Sequence, residues 1–96
     1  MMILITYDIA TESESGQQRL RNVSKVCKNY GQRVQNSVFE CLITPSQLVE
    51  LRALIKEIIN EDQDSVRIYK LSNDWKNQVE HYGSKRPYDP DGTLII

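Results

Sequence analysis

Asp8 is the residue whose position could support phosphate chemistry. It follows the apolar run Met2 to Tyr7, so its carboxylate is placed where a predicted strand gives way to a loop. Proteins often hold Mg²⁺ or Mn²⁺ with one or two carboxylates, waters and substrate phosphate. A carboxylate that caps the following loop would look the same in sequence. A two-fold dimer that paired two copies of Asp8 would supply a second ligand, and the metal could then activate a water against a phosphodiester.

A basic segment follows this acid. Between Ser15 and Phe39 the chain has no Asp or Glu but carries Arg19, Arg21, Lys25, Lys28 and Arg33. On a helical wheel Arg21, Lys25 and Lys28 form one stripe, whereas Arg19 lies nearer the apolar flank. A solvated helix face explains most stripes of this kind, although such faces normally mix both signs of charge. The alternative is a surface that contacts phosphates and gives sequence-independent, salt-sensitive binding, which Arg33 and Gln35 would continue into the next strand.

Three aromatic residues could stack on bases, namely Tyr7, Phe39 and Tyr69. The aromatic-rich signature of an RNA-recognition motif is absent, however, so core packing is the favoured interpretation of each. Asp62 and Asp64 resemble metal ligands, but the segment lacks the glycine and the distant glutamate of a calcium loop, which favours a turn.

The remaining metal-binding residue types lack the spacing that a site requires. Cys27 and Cys41 form no CxxC pair, and the single histidine, His81, has no partner at ligand spacing. We interpret both cysteines as buried thiols. The sequence also has no glycine-rich phosphate loop and no Ser/His/Asp constellation, so it gives no support for P-loop hydrolysis or acyl transfer.

Size and composition limit the organisation of the chain. Ninety-six residues, 40% of them hydrophobic, can bury one modest core, so we expect one domain that a dimer partner would help to stabilise. The apolar start is too short for a membrane span and lacks the features of a secretory signal. These observations predict a soluble, cytoplasmic protein. Its net charge of −1 gives no reason by itself to expect a polyanion partner.

Hydrophobic periodicity predicts the elements that must position these residues. Met2 to Tyr7 is a buried strand, 11–16 is a loop, and a helix through Leu20 to Tyr30 ends at Gly31. The range 33–43 divides into two short strands at a bend, Asn36–Ser37. Thr44, Pro45 and Gln47 begin a second helix with an apolar stripe, and Ser65 to Leu71 forms a last strand. The stripe consists of Leu48, Leu51, Leu54, Ile55, Ile58 and Ile59.

The predicted order is βαββαβ, which is the α+β, ferredoxin-like arrangement with two helices on one face of a four-stranded antiparallel sheet. Residues 1–71 form this core. Residues 72–96 are too few to fold alone, and we expect them to form a C-terminal dimerisation extension that adds strands to the partner's sheet.

The residue patterns resemble those of the CRISPR-associated Cas-two family over nearly the whole chain. The resemblance is carried by ILITYDI, RLRNVSKVCKNYG, RVQNSVFEC and DSVRIYKL, in that order. His81 to Gly83 and the acidic tail look like subtype I-C members. The resemblance implies a homodimeric, Mg²⁺- or Mn²⁺-dependent phosphodiesterase in which Asp8 is catalytic and binds the metal, and in which Tyr7, directly before it, is also a catalytic residue. It also places the family's nucleic-acid-binding residues on Arg19, Arg21, Arg33, Ser37 and Phe39.

The resemblance leaves the activity itself open. Family members have been assigned both nuclease activity and a non-catalytic role as the bridge between dimers of the CRISPR integrase, Cas-one, on duplex DNA during spacer capture. Our hypothesis is that both roles use one basic surface. A toxin-like RNA interferase acting on single-stranded RNA shares the fold and the dimer, and a small-ligand regulatory domain would need no basic helix.

Overall fold

The computed structural model describes residues 1–83. The core elements follow the order βαββαβ, and a short third helix comes after them. Their bounds are β1 Met2–Asp8, α1 Glu14–Tyr30, β2 Gln32–Gln35, β3 Val38–Leu42, α2 Pro45–Ile58, β4 Ser65–Lys70 and α3 Trp75–Gln78. The predicted fold class is therefore confirmed, and the first and last strands differ from their predicted bounds by one residue each.

The four strands form one antiparallel sheet in the order β2-β3-β1-β4. Strand β1 is central because its residues are nearly all apolar, and Ile5 lies opposite Phe39 on one side and Ile68 on the other. Alternate residues point to one face, where Ile3 and Ile5 join the helices in a single core. The core places the C-terminal end of β1 beside α1.

Helix α1 begins earlier than the sequence pattern predicted. The expected loop over 11–16 ends at Ser13, whose side chain accepts a hydrogen bond from the Gly16 backbone N–H at 3.1 Å and caps the helix. The helix ends before Gly31, as predicted, although that glycine has an extended backbone. A side chain at Gly31 would collide with the Glu40 carbonyl oxygen and the Cys41 sulfur, so close approach to β3 requires the glycine there.

Helix α2 confirms the predicted capping box. The Thr44 hydroxyl accepts from the Gln47 N–H, and the Gln47 side chain accepts from the Thr44 N–H. Leu51 is fully buried on the predicted stripe, but Leu54 is 38% exposed. The prediction for Leu54 was wrong because its position lies on the flank of the buried face, one turn after Leu51 and beside residues in solvent.

Strands β2 and β3 meet at the predicted bend, Asn36–Ser37. The register shifts between Arg33 and Gln35, which marks a β-bulge in β2, the edge strand. The bulge lies next to the turn that faces the end of β1.

The cysteine thiols lie in the core, as the sequence predicted. Cys27 and Cys41 are both fully buried. Burial raises the pKa of the Cys27 thiol to about 12 and that of the Cys41 thiol to about 11. Both are therefore inert neutral thiols at physiological pH.

The described part of the C-terminal extension differs from the prediction of strands. Residues 72–83 contain the short helix α3 and no strand. The rest of the predicted extension, 84–96, lies outside the described residues, and the predicted addition to a partner's sheet remains a prediction. Among residues 1–83, no helix has the length and apolar character needed to span a membrane.

Candidate nucleic-acid interface

An open groove of about 720 Å³ runs between α1, the end of β1 and the β2–β3 turn. It brings together most of the residues that the sequence singled out, although they come from separate elements. Its lining residues are Tyr7, Asp8, Ile9, Leu20, Arg21, Ser24, Lys25, Lys28, Arg33, Asn36 and Ser37.

Asp8 supplies the negative charge of the groove. It is exposed at the last position of β1, where it lies opposite Ser65 of β4. Within residues 1–83, Asp8 is the only acid that lines the groove. Its carboxylate is thus available to a ligand and lies among basic side chains.

Four basic side chains line the same groove: Arg21, Lys25, Lys28 and Arg33. Arg21 donates to the Gln18 side chain at 2.7 Å, and Arg33 donates to the Ser24 hydroxyl. Neither lysine has an ion-pair partner in the described part of the chain. The groove therefore has a net positive charge, as a binding site for a phosphate backbone requires.

Tyr7 ties the end of β1 to the β2–β3 turn. Its hydroxyl donates to the Asn36 carbonyl at 3.2 Å, and its backbone N–H donates to the Ser37 carbonyl at 3.1 Å. The side chain is only 6% exposed, and its ring stacks on Phe39 with 6.2 Å between centroids. These two hydrogen bonds thus give Tyr7 a structural role, because they connect the end of β1 to the turn that contains Ser37. The predicted catalytic role of Tyr7 remains a prediction.

Phe39 does not reach the groove surface. It is fully buried, so its ring cannot stack on a base in this conformation, and core packing is the interpretation that the structure supports. The Arg33 guanidinium lies over the ring, 5.2 Å from the centroid. Phe39 therefore supports a basic residue of the groove from below.

Arg19, predicted as a nucleic-acid contact, is absent from the groove lining. Its Nε donates to Asp64 at 2.7 Å in an ion pair. The hydrogen bond from Arg19 is the main cause that lowers the pKa of the Asp64 carboxyl, and it raises the pKa of Arg19. The described contacts of Arg19 are thus within the protein, because the apolar flank of α1 faces the α2–β4 turn.

Sequence reasoning missed Ser24, Asn36 and the partnership of Arg19 with Asp64. The predicted turn at Asp64 is confirmed, but the partner of this carboxylate, Arg19, is 45 residues away in the sequence. Asn36 takes part through its backbone carbonyl, which carries no side-chain signal. Ser24 lies between Arg21 and Lys25 on the basic face of the predicted helix. This spacing is the one signal in the sequence that could have predicted Ser24 as a groove residue.

One chain offers limited ligands for a metal ion. Residues 1–83 contain no group of three or more His, Cys, Asp or Glu side chains able to hold one. The exposed Asp8 carboxylate is the type of oxygen ligand that Mg²⁺ and Mn²⁺ prefer, and such ions need only one or two protein carboxylates when phosphate and water complete the shell. The donor chemistry therefore fits a metal shared with phosphate, or with a second copy of Asp8.

A family model matches most of the chain. The family model described as CRISPR associated protein Cas2 matches residues 1–79. The chain therefore belongs to the Cas2 family, which is the Cas-two family that its residue patterns resemble.

Individual relatives match over the full chain. The CRISPR-associated endonuclease Cas2 of Halalkalibacterium halodurans is 52% identical, with 100% of both chains covered. The CRISPR-associated endoribonuclease Cas2 of Chlorobaculum tepidum is 49% identical, again with 100% of both covered. The crystal structure of Streptococcus pyogenes Cas2 is 51% identical, with a TM-score of 0.77 over 86% of this chain and 100% of that chain. The relatives thus include one named an endonuclease and one named an endoribonuclease.

Proposed function

We propose that the protein is a metal-dependent phosphodiesterase that cleaves nucleic acid as a homodimer and acts in CRISPR adaptation. The observation that carries this proposal is the groove, in which one exposed carboxylate, Asp8, lies among four basic side chains. Basic side chains bind the phosphates of a nucleic-acid strand. A carboxylate among them can bind a metal ion together with the bound phosphate. Membership of the Cas2 family and the names of its relatives support the same conclusion.

The chain's own residues have distinct tasks in this proposal. Lys25 and Lys28 neutralise successive phosphates along α1, and Arg33 does so from β2. Asp8 and the partner subunit's Asp8 would hold Mg²⁺ or Mn²⁺. When bound, the metal supplies activation of a water and neutralisation of charge on the phosphate oxygens. Tyr7 keeps the turn that carries Ser37 at a fixed distance from Asp8.

A second candidate function is a non-catalytic bridge between dimers of the CRISPR integrase, Cas-one, on duplex DNA. One observation favours it: each chain contributes a single carboxylate to the groove, and residues 1–83 hold no larger cluster of metal ligands. The basic groove would bind a duplex in either case. If the nuclease and the bridge both use the basic groove, we expect cleavage to be slow or to occur only under some conditions.

The test replaces Asp8 by asparagine, which preserves the size of the side chain and removes its charge. We expect Asp8→Asn to abolish Mg²⁺- or Mn²⁺-dependent cleavage while keeping duplex affinity, because the basic side chains remain. Asp62→Asn is the matched control, since Asp62 is exposed in the α2–β4 turn and does not line the groove. Unchanged cleavage by Asp8→Asn would overturn the proposed catalytic site.

The substrate is tested with both nucleic acids side by side. Single-stranded RNA and duplex DNA of matched length are incubated with the protein, with Asp8→Asn and with a chelator. Cleavage of RNA alone would make the protein an endoribonuclease, and cleavage of duplex DNA would make it a DNA endonuclease. Salt-dependent duplex binding with no Asp8-dependent cleavage of either would identify the bridge.

A further inference from the structure

Asp64 connects three separate segments beside the groove. Its side chain is 0% exposed, yet it is charged and precedes β4 directly. Its oxygens accept from Arg19 of α1, from the Asn60 N–H at 2.9 Å and from the Ala10 N–H at 3.1 Å. A buried carboxylate with this many donors is fully satisfied, so its contacts fix the segments that provide them.

One of these segments leads directly from Asp8. Ala10 lies two residues after Asp8, and Ser65, which follows Asp64, is the register partner of Asp8. The backbone at Asp8 and at Ala10 is thus attached to one short stretch of chain, residues 64–65. Gly16 packs so closely that an added side chain would collide with the Ala10 carbonyl oxygen, which leaves the loop little freedom to move toward α1.

Most donors of the Arg19 guanidinium are used inside the protein. Its Nε and Nη2 contact both oxygens of Asp64, its Nη2 also donates to Gln63 at 3.2 Å, and its Nη1 donates to Ser15 at 3.4 Å. Only 14% of its side chain is exposed. A basic residue committed in this way has few donors left for a phosphate.

We propose that Asp64 is a positioning residue for Asp8, and that Arg19 acts through Asp64 rather than by contact with nucleic acid. This inference rests on the proposed function of Asp8 as a metal ligand. Asp64 holds the peptide after Asp8, and so fixes the direction in which the Asp8 carboxylate enters the groove. Arg19 keeps Asp64 ionised and in place. Loss of either partner would let the 9–12 loop move and weaken metal binding, without removing the basic side chains of the groove.

The experiment compares Asp64→Asn, Arg19→Gln and the double variant. Backbone deuterium uptake of the 9–12 loop is measured without substrate, and half-saturating Mn²⁺ and duplex affinity are measured on folded protein. We expect faster uptake in all three variants and a roughly tenfold higher half-saturating Mn²⁺, as for loss of groups that orient a metal ligand. The double variant should resemble the single ones, because the pair acts as a unit. Arg19→Lys should recover part of the loss.

Two controls separate the alternatives. Asp62→Asn, in the same turn, should change neither uptake nor the Mn²⁺ requirement. Arg21→Gln, on the groove side of α1, should weaken duplex binding and its salt dependence but leave uptake of the 9–12 loop unchanged. If Arg19→Gln behaves like Arg21→Gln, Arg19 contacts nucleic acid and the proposal is wrong.

Other outcomes are equally decisive. Unchanged uptake in Asp64→Asn overturns the proposal, as does a lower melting temperature with an unchanged Mn²⁺ requirement, which would show a merely structural role. Failure of the proposed function is seen separately, as unchanged cleavage by Asp8→Asn. In that case loop uptake and Mn²⁺ binding measured by titration calorimetry still test whether Asp64 controls the segment beside Asp8.

Discussion

The Arg33 guanidinium lies over the ring of Phe39, 5.2 Å from its centroid. The ring is fully buried, whereas Arg33 is exposed and lines the groove. A core residue thus provides the surface on which a groove residue rests, and the same ring stacks on Tyr7 beneath the other side of the groove. Core packing and the charge distribution of the groove are therefore linked at one position, since Arg33 and Phe39 are register partners on the same face of the sheet.

Replacing Phe39 by leucine tests this link. We expect Phe39→Leu to lower the free energy of unfolding by roughly 1 to 2 kcal/mol, because a buried ring is replaced by a smaller side chain. Duplex affinity should fall by a few fold, since Arg33 loses its support. Urea unfolding and fluorescence anisotropy measure the two effects. In an Arg33→Ala background the substitution should still destabilise the fold but no longer change affinity, and an equal loss of affinity in both backgrounds would contradict the link.

The lysine pair of α1 provides a prediction about salt. Lys25→Gln combined with Lys28→Gln should weaken duplex binding and reduce the slope of log affinity against log salt by about 2, as two phosphate contacts are lost. The matched control is Lys56→Gln combined with Lys70→Gln, which removes the same charge from exposed positions outside the groove. Binding titrations at several salt concentrations provide the slopes. Equal slopes for the two double variants would show that the groove does not bind the backbone.

The size of the fall in cleavage rate on replacing Tyr7 distinguishes a structural role of this residue from a catalytic one. Tyr7→Phe removes the hydrogen bond to the Asn36 carbonyl and keeps the ring. We expect a loss of roughly 0.5 to 1.5 kcal/mol in stability and a fall of less than about tenfold in cleavage rate. A phenol that transferred a proton in the reaction would instead contribute about a hundredfold or more. Single-turnover rates decide between the two, and a hundredfold loss would make Tyr7 catalytic.

Asp64 predicts how stability changes in acid. The hydrogen bond from Arg19 is the main cause that lowers the pKa of its carboxyl below the ordinary 3.8; backbone N–H groups add to the effect, while burial opposes it. Because the pKa is lower in the folded state, the stabilisation is complete above pH 3.8 and is lost as the pH falls through the lowered value. Asp64→Asn should be less stable near neutrality, by roughly 1 to 3 kcal/mol. It should also lose less stability on acidification.

Urea unfolding of both proteins between about pH 6 and pH 2.5 measures this difference. Asp62→Asn again serves as the control, because it removes a carboxylate from the same turn. Parallel stability curves for the wild type and Asp64→Asn would show that the Arg19 pair does not contribute to acid sensitivity.

Local patterns predicted much of this molecule. The order βαββαβ, the Thr44 capping box and the Asn36–Ser37 bend depend on residues near each other in the chain, and all three were confirmed. The start of α1 was missed because Ser13 lies in a polar stretch that resembles a loop until the Gly16 N–H is seen to bond to it.

The features of the site that the sequence did not predict depend on packing between residues far apart in the chain. The sequence identified Asp8, Lys25 and Lys28 because charge and position along an element determine their exposure. The family resemblance put Phe39 among the contacts, whereas the residue pattern favoured core packing, and its neighbours in the fold bury it completely. The pairing of Arg19 with Asp64 depends on how α1 meets a turn 45 residues later, which no local pattern encodes.

The irregular register of β2 has a consequence for how two molecules can meet. In the described sheet β2 and β4 are the outer strands, and the shift between Arg33 and Gln35 interrupts the regular spacing of backbone groups along β2. A strand from another molecule needs an evenly spaced row of amides and carbonyls, and β4 has such a row over Ser65–Lys70 because its pairing with β1 is regular. The regular spacing along β4 therefore suits intermolecular strand addition better than the interrupted spacing along β2, and the addition of strands between subunits remains a prediction.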